Sequence, residues 1–475
     1  MEINYIQQLF SLFKNKTLNA VGAERSLYEL LRDKDVPRAI SLMDDHSKEV
    51  DKAIKEYNPA LHEVMNRPNK PRKKERPYIT EKLPRNRQSY INEVELFFLL
   101  GKPVKWERKE GTDNAYQIFK QYLDDTNFNS YIRLTKRLAG AETESAIIYN
   151  ITRTPKEVDG KIEYEVTAFP FVASRSLGYS LRPMFDQYGK MLAFGLGYRL
   201  KTSAGSVEHW DIHTKDYIFK CKREAIGWSV TPYPNPTGKI NVLYFKQPKA
   251  WAGVEPRLKR EEMLDSKTGD TNNYFSDPMA AATADVLQNM AEPDKAGRMI
   301  QLTGANSRFE YINPPQNSQT RESEKEDLKE SILFDTFTPD LSYDNIKGLG
   351  SLSGAAMHNA LILGYMKRDV RKEVYDAMLK RFFSVTIEIL KLLHPEQSGS
   401  LDRLKVRFEF AEPFEEDTRN KWSSIAELFQ AGLVSRETAV KMLALTDNPD
   451  AEIDRIVMAQ AELKEEEDEN AAPVD

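Results

Sequence analysis

The stretch GLGSLSG, from Gly348 to Gly354, sets three glycines ahead of an apolar pattern with helical spacing. Glycines that open a helix can cradle a phosphate, because the first backbone N–H groups of a helix have no internal partner and the helix dipole favours an anion there. The spacing here is G-x-G-x-x-x-G. The dinucleotide fingerprint is G-x-G-x-x-G and follows a buried strand, whereas this loop follows a predicted helix end and the polar run Thr338–Asp344. The Walker pattern is missing as well: the Gly-Lys pairs at Gly101, Gly160, Gly189 and Gly238 continue into Pro103, Ile162, Met191 and Ile240. GLGSLSG therefore reads as a hinge between two helices, with Ser353 placed to cap the second.

Other chemical constellations fail on spacing. His62-Glu63 begins a zinc-protease pattern, but Asn66 stands where the second histidine ligand belongs. His209 and His213 fall in a predicted strand, where four residues span about 13 Å, too far to share one metal. They read as surface or sheet-filling side chains. No G-x-S-x-G elbow occurs, and Cys221, inside the predicted strand YIFKCKRE, has no acid–base pattern around it. The acidic runs at Glu415–Asp417 and Glu465–Asp468 read as solvated faces, because consecutive acids diverge rather than converge on a cation. No catalytic, cofactor-binding or metal-ligating set is expected.

The elements around these residues must belong to a chain long enough for several packed units, at 475 residues. Apolar residues make up 40% and charged residues 30%, the composition of ordinary globular material. The formal net charge of −5 argues against a protein that grips nucleic acid through a general basic excess. The single cysteine excludes an intrachain disulfide framework and fits a reducing compartment. The first residues lack the basic and apolar regions of an export signal, and no apolar run is long enough to span a membrane.

Four zones follow along the chain. Residues 1–140 read as mostly helical, with Ile91, Val94, Leu96, Phe98, Leu99 and Leu100 largely on one side of a helix that stops at Gly101. Before it, residues 67–87 form a basic, proline-rich arm, read as a solvated linker or a contact for nucleic acid or an acidic partner. Residues 141–247 are β-rich, with turns at Asp159-Gly160 and Asn235–Gly238, and predict one antiparallel sheet. Residues 248–393 return to helix. A first helix is disturbed by Lys267–Asn273 and Pro278 and resumes over MAAATADVLQNM; two short strands lie within 297–315. A charged helix over 317–337 has favourable pairs at Glu322/Lys325 and Glu326/Lys329. A helix from Ser353 to Leu393 would be about 60 Å long. The last zone holds the strand LKVRFEF, two helices with Ser435 as an N-cap, and an acidic tail. The fold class is α+β, predominantly helical.

This order of parts resembles the portal proteins of tailed bacteriophages of the siphophage-like branch. The strings that carry the likeness are FFLLGKPV (97–104), NPTGKINVLYFKQ (235–247), GRMIQLTG (297–304), LSGAAMHNALI (352–362) and the region 419–456. The resemblance implies a ring, typically a dodecamer, around a DNA channel at one capsid vertex. It implies a wing over 1–250, stem helices at 251–290 and 317–337, a clip at 291–316 and a tunnel loop at 338–352. The long helix and wing return would cover 353–410 and a small crown 411–460, followed by the acidic tail. Partners implied are further copies of the chain, double-stranded DNA, the large subunit of the terminase motor, head-completion or adaptor proteins, and major capsid and scaffolding proteins. Location would be the virion, after assembly in the host cytoplasm.

On that basis Asp344, Asn345, Lys347, Gly348, Gly350 and Ser351 are expected to meet DNA. Arg298, Gln301, Arg308 and Glu310 would serve the clip and motor interface, and Met357, Leu361 and Tyr365 would pack the long helix. Two other readings stand beside this one: a phosphate- or nucleotide-handling enzyme using Gly348–Gly354, and a non-viral helical scaffold.

Overall fold

A computed structural model describes residues 26–69, 79–158, 161–203, 205–276, 280–283, 286–288, 301–303, 308–311, 318–343, 345, 347, 359–414, 418–443, 445 and 452–459. The chain divides into two compact units. One comprises Met1–Asp340 with Leu363–Ala411, the other Leu341–Ile362 with Glu412–Asp475.

The first unit opens with α1 (Leu27–Arg32), where Ser26 and Glu29 form a reciprocal capping box. Helices α2 (Val36–Ser41) and α3 (Ser47–Tyr57) and two 3-10 turns follow. Helix α4 (Arg87–Leu100) ends at Gly101 as expected. It is buried around most of its circumference, Gln88, Asn92 and Glu95 included, which corrects the one-sided apolar face. Strand β1 (Lys105–Glu110) has no apolar alternation, yet it pairs antiparallel with β14 (Lys405–Glu409) near the end of the unit. Helices α5 (Asp113–Asp125) and α6 (Phe128–Glu142) then lead into the β-rich zone.

That zone forms two antiparallel sheets rather than one. Strands β2 (Glu144–Val158), β3 (Lys161–Ala173) and β9 (Val242–Lys246) make the order β3-β2-β9. Between them in sequence, β4 (Ser180–Phe185), β5 (Met191–Thr202), β6 (Gly205–Thr214), β7 (Tyr217–Arg223) and β8 (Trp228–Pro234) make a sequential meander.

Period-2 alternation stacks the two sheets. On the meander, Trp210, Ile212, Phe219 and Cys221 pack under α1 and α2. Its opposite face offers Leu181, Phe194 and Leu196 to Ala146, Ile148, Val242 and Tyr244 of the three-stranded sheet. The far face of that second sheet, Ile147, Tyr149, Leu243 and Phe245, joins a core with α4, α5, α6 and the long helix. Gly197 makes room in this arrangement, since a Cβ there would meet the Trp210 ring at 2.7 Å.

Helix α7 (Glu255–Ser276) runs without a break through Lys267–Asn273, so the expected disturbance there is corrected. Helix does not resume at 280–283 or 286–288. Strands β10 (Ala280–Thr283) and β11 (Val286–Gln288) occupy those spans and pair with β13 (Arg308–Tyr311) and β12 (Gln301–Thr303), one pair nested within the other. Helix α8 (Ser318–Asp335) returns against α7. The long helix α9 runs from Ile362 to Leu393, about 48 Å, and α10 (Ser398–Asp402) precedes β14. The Asp159-Gly160 turn and residues 348–358, with the expected cap Ser353, lie outside the described residues.

In the second unit, α11 (Thr418–Gln430) and α12 (Arg436–Leu443) bury Ile425 and Ala439. The Ser435 hydroxyl accepts from the Thr438 N–H at 3.2 Å and caps α12, as expected.

Candidate functional site

The helix pair α7–α8, which brackets the nested strands β10–β13, is held from two sides. Across the pair, Arg257 meets Asp335, Arg260 lies 2.7 Å from Glu324, and Lys325 lies 2.7 Å from Asp265. Lys325 and Lys329 thus turn to Asp265 and Asp340 instead of forming the expected pairs with Glu322 and Glu326. Helix α7 also carries Glu261, Glu262, Asp265 and Asp270, all buried.

The described parts of the basic arm lie along this acidic row. Arg87 forks onto Glu261, Arg85 meets Asp265, and Arg67 lies 2.7 Å from Asp270. Backbone N–H groups of Glu81, Leu83 and Arg85 donate to Asp270, Ser266 and Glu262. The solvated-linker reading fails for these residues; the arm's acidic partner is a helix of the same chain.

His62 joins the same row, 2.6 Å from Glu262. Burial works against its protonation, but the Glu262 hydrogen bond and charge, with Glu56, outweigh burial and raise its pKa. A cleft of about 300 Å³ opens here between Leu61, Trp251, Leu258 and Lys259. Among the described residues, no three or more His, Cys, Asp or Glu side chains gather to hold a metal.

A second cluster fixes the long helix. Glu95 of α4 is fully buried. Lys136 of α6 lies 2.7 Å away, and Lys367 and Arg371 of α9 lie at 3.2 Å and 2.9 Å. Gln247 and Tyr375 complete the network. Burial alone would raise the Glu95 pKa; Arg371, Lys136 and Lys367 overcome it and hold the carboxyl well below the usual range. Burial lowers Lys367 to about 8 and also lowers Lys136, with Glu95 countering in each case.

Helix α4 also holds the chain on the other side of the glycine segment. The Tyr90 hydroxyl donates to the Pro339 carbonyl at 2.9 Å, and Thr338 closes α8 by donating its N–H to Leu333. Phe337, just before it, sits at φ +50, the left-handed conformation that ends a helix. Farther along α4, the Phe98 ring lies edge-on to Tyr365, with centroids 5.4 Å apart, and against Gly364, where a Cβ would meet it at 2.4 Å. The chain before Asp340 and after Leu363 is therefore anchored on one helix, at Tyr90 and at Glu95–Phe98.

The expected site residues fall unevenly on this frame. Asn345 and Lys347 are exposed and, with Tyr343, have helical backbone where a loop was expected. Asp344, Gly348, Gly350, Ser351, Arg298 and Met357 lie outside the described residues. Gln301, Arg308 and Glu310 are strand residues, opposite Gln288, Thr283 and Ala281. Leu361 is buried and Tyr365 half-buried. The residues missed at the sequence level are those of the Glu95 cluster. A charge inside the apolar run INEVELFFLL is the only signal, and its partners on α9 lie more than 270 positions away.

His213 and Cys221 are buried, as sheet-filling residues should be. Burial pushes the thiol up to about 12 and His213 down to about 4.

The fold defined here is a mixed helix and sheet body carrying an ion-paired helix couple that brackets a small β excursion. The model of the family "Phage portal protein, SPP1 Gp6-like" matches residues 33–470, and the chain belongs to that family. It is a phage portal protein. No curated protein matches. Among solved structures, "Neck of native GTA particle computed with C12 symmetry" is 11% identical with a TM-score of 0.40, covering 76% of this chain and 91% of that one. "Neck of empty GTA particle computed with C6 symmetry" is 11% identical with a TM-score of 0.39, covering 76% and 90%.

Proposed function

We propose that this portal protein assembles as a ring in which each copy contributes a wall to a channel for double-stranded DNA at one capsid vertex. Membership of the family across residues 33–470 carries this reading. In it, α7 and α8 are the stem, with the first stem helix ending at Ser276, and the nested strands within 280–311 are the clip. The layered sheets with α4–α6 and α9 are the wing, and α11 and α12 belong to the crown. The clip meets the terminase large subunit during filling and head-completion proteins afterwards, while ATP hydrolysis resides in the motor. Assembly takes place in the host cytoplasm, with capsid and scaffolding proteins around the wing.

The geometry supports a division of labour. Residues Asp344–Ser351 meet the moving DNA, and α4 keeps the two flanks of that segment in place through Pro339 and Lys367. Contacts to sliding DNA must be weak and blind to sequence, so a few polar and cationic groups such as Asn345 and Lys347 suit the task better than a phosphate-gripping cradle. Shortening Tyr343–Gly350 tests this assignment. Rings should persist while packaging or retention of DNA falls; loss of the rings themselves would make the segment an assembly element instead.

A further inference from the structure

His62 sits between two 3-10 turns, Pro59–Leu61 and Glu63–Asn66, and its side chain is 4% exposed. Its ring nitrogens face two acceptors. Nδ1 lies 2.6 Å from Oε1 of Glu262 on α7, and Nε2 lies 2.8 Å from the backbone carbonyl of Glu56, near the end of α3. A neutral imidazole has one N–H and satisfies only one of them. The carbonyl has no proton to give. The Glu262 oxygen also accepts the Arg85 N–H of the arm at 2.9 Å, as a carboxylate does. The arrangement calls for an N–H on each ring nitrogen, so the ring is an imidazolium.

Every element around the ring brings charge. Helix α3 presents Glu56, whose carboxylate is taken by Lys249 and by the Trp251 N–H, with Lys52 at 3.9 Å. Lys55 lines the neighbouring cleft, and Glu255 of α7 lies 2.7 Å from Lys249. Lys259 of α7 pairs with Glu63 of the ring's own turn at 2.7 Å, both well exposed. The guanidinium groups of Arg85 and Arg87 turn to Asp265 and Glu261. Among the described residues, Glu262 is left with His62 as its one side-chain cation. Loss of the His62 proton would strand a buried carboxylate, which is costly.

We propose that His62 is a proton-operated latch: charged, it fastens the turns at 58–66, the end of α3 and the arm at Arg85 onto α7, and on losing its proton it frees them. The latch opens on the alkaline side. Burial opposes the charge, but the Glu262 hydrogen bond and charge, with Glu56, outweigh burial and raise the His62 pKa above 6.5. The stability it supplies is complete below 6.5 and is lost as pH rises through the folded value. The opening is local, because Arg67 stays on Asp270 and Arg87 on Glu261. The cleft of about 300 Å³ that His62 and Glu262 line gives solvent a route to the pair. The latch stands independently of the ring reading above.

Hydrogen-exchange mass spectrometry of the full chain, across the neutral and alkaline range, tests it. Exchange at the imidazole C2 position reads the charge of His62 itself. Amide exchange, corrected for its intrinsic pH dependence, reads the latch. The C2 profile should turn over above 6.5, and Glu262→Gln should move it down. The amides of Leu61, His62, Met65 and Arg85 are hydrogen-bonded in these turns and to Glu262. They should exchange about tenfold faster once the pH passes the turnover, the effect of losing a charged hydrogen bond, while the meander β4–β8 shows no step. His62→Gln should hold them at the fast level at every pH. A C2 turnover at or below 6.5 overturns the proposal, because the buried ring is then not held in its charged form. A turnover above 6.5 with level amide protection also overturns it, since the ring is then charged but fastens nothing. A step shared by the meander overturns it in favour of general unfolding. The wild-type profiles decide among these outcomes even if a variant fails to fold.

Discussion

Lys367 of the long helix lies 3.2 Å from Glu95 of α4, and both side chains are buried. With Lys136 and Arg371 also on Glu95, a single carboxylate answers three cations in the centre of the first unit. Replacing it by Glu95→Gln keeps the shape and removes the anion. Stability should fall by about 3–5 kcal/mol, the range for breaking a buried ion pair by deleting one partner. Guanidinium denaturation reads this directly. A loss below about 1 kcal/mol would mean that the cations have other partners and that Glu95 does not anchor α9.

His213 makes the first unit sensitive to acid. Its pKa is about 4 when buried in the fold and 6.5 in the open chain, so between those values the unfolded chain binds a proton that the folded one refuses. Stability is therefore lost as pH falls from 6.5 to 4, by about 3 kcal/mol from this residue alone. A His213→Phe variant should show a flatter profile across that window. An unchanged profile would place the acid sensitivity elsewhere.

Gly364 separates helix propensity from packing. Alanine is the better helix former by about 1 kcal/mol, so Gly364→Ala would stabilise α9 if its surroundings were open. The Phe98 ring occupies that space, and the clash should dominate, giving a net loss of about 1–3 kcal/mol. Combining Gly364→Ala with Phe98→Leu should recover part of the loss. A stabilised single variant would show that α9 does not sit against Phe98 as described.

Removal of residues 280–311 should leave the α7–α8 pair folded, because Arg257–Asp335 and Asp265–Lys325 lie outside the excursion. In the portal reading the shortened protein no longer binds the packaging motor. A pull-down with the terminase large subunit checks this, and unaltered binding would refute the clip assignment.

Elements with strong local patterns were legible in the sequence. The apolar alternation of IIYNITR and of INVLYFKQ marks β2 and β9, and the Gly101 stop marks the end of α4. KWERKE was not legible as a strand, because β1 is an exposed ribbon whose partner lies about 300 residues away. KTGDTNN misled for the opposite reason. Gly269 and the asparagines are poor helix formers, but tertiary contacts override propensity: Asp270 receives the arm's Arg67 and Glu81, and Asn273 donates to Glu81. AAAT and VLQ are too short for period to separate strand from helix, and their pairing with residues 308–311 and 301–303 decides. The role of the arm was hidden because its acidic partner is distant in sequence, and the hinge reading of GLGSLSG falls outside the described residues.

Electron microscopy of the purified full-length protein tests the central claim most directly. The portal reading predicts closed rings of identical copies around a central channel wide enough for duplex DNA. A protein that remains monomeric at high concentration, or that forms assemblies without a channel, would contradict it.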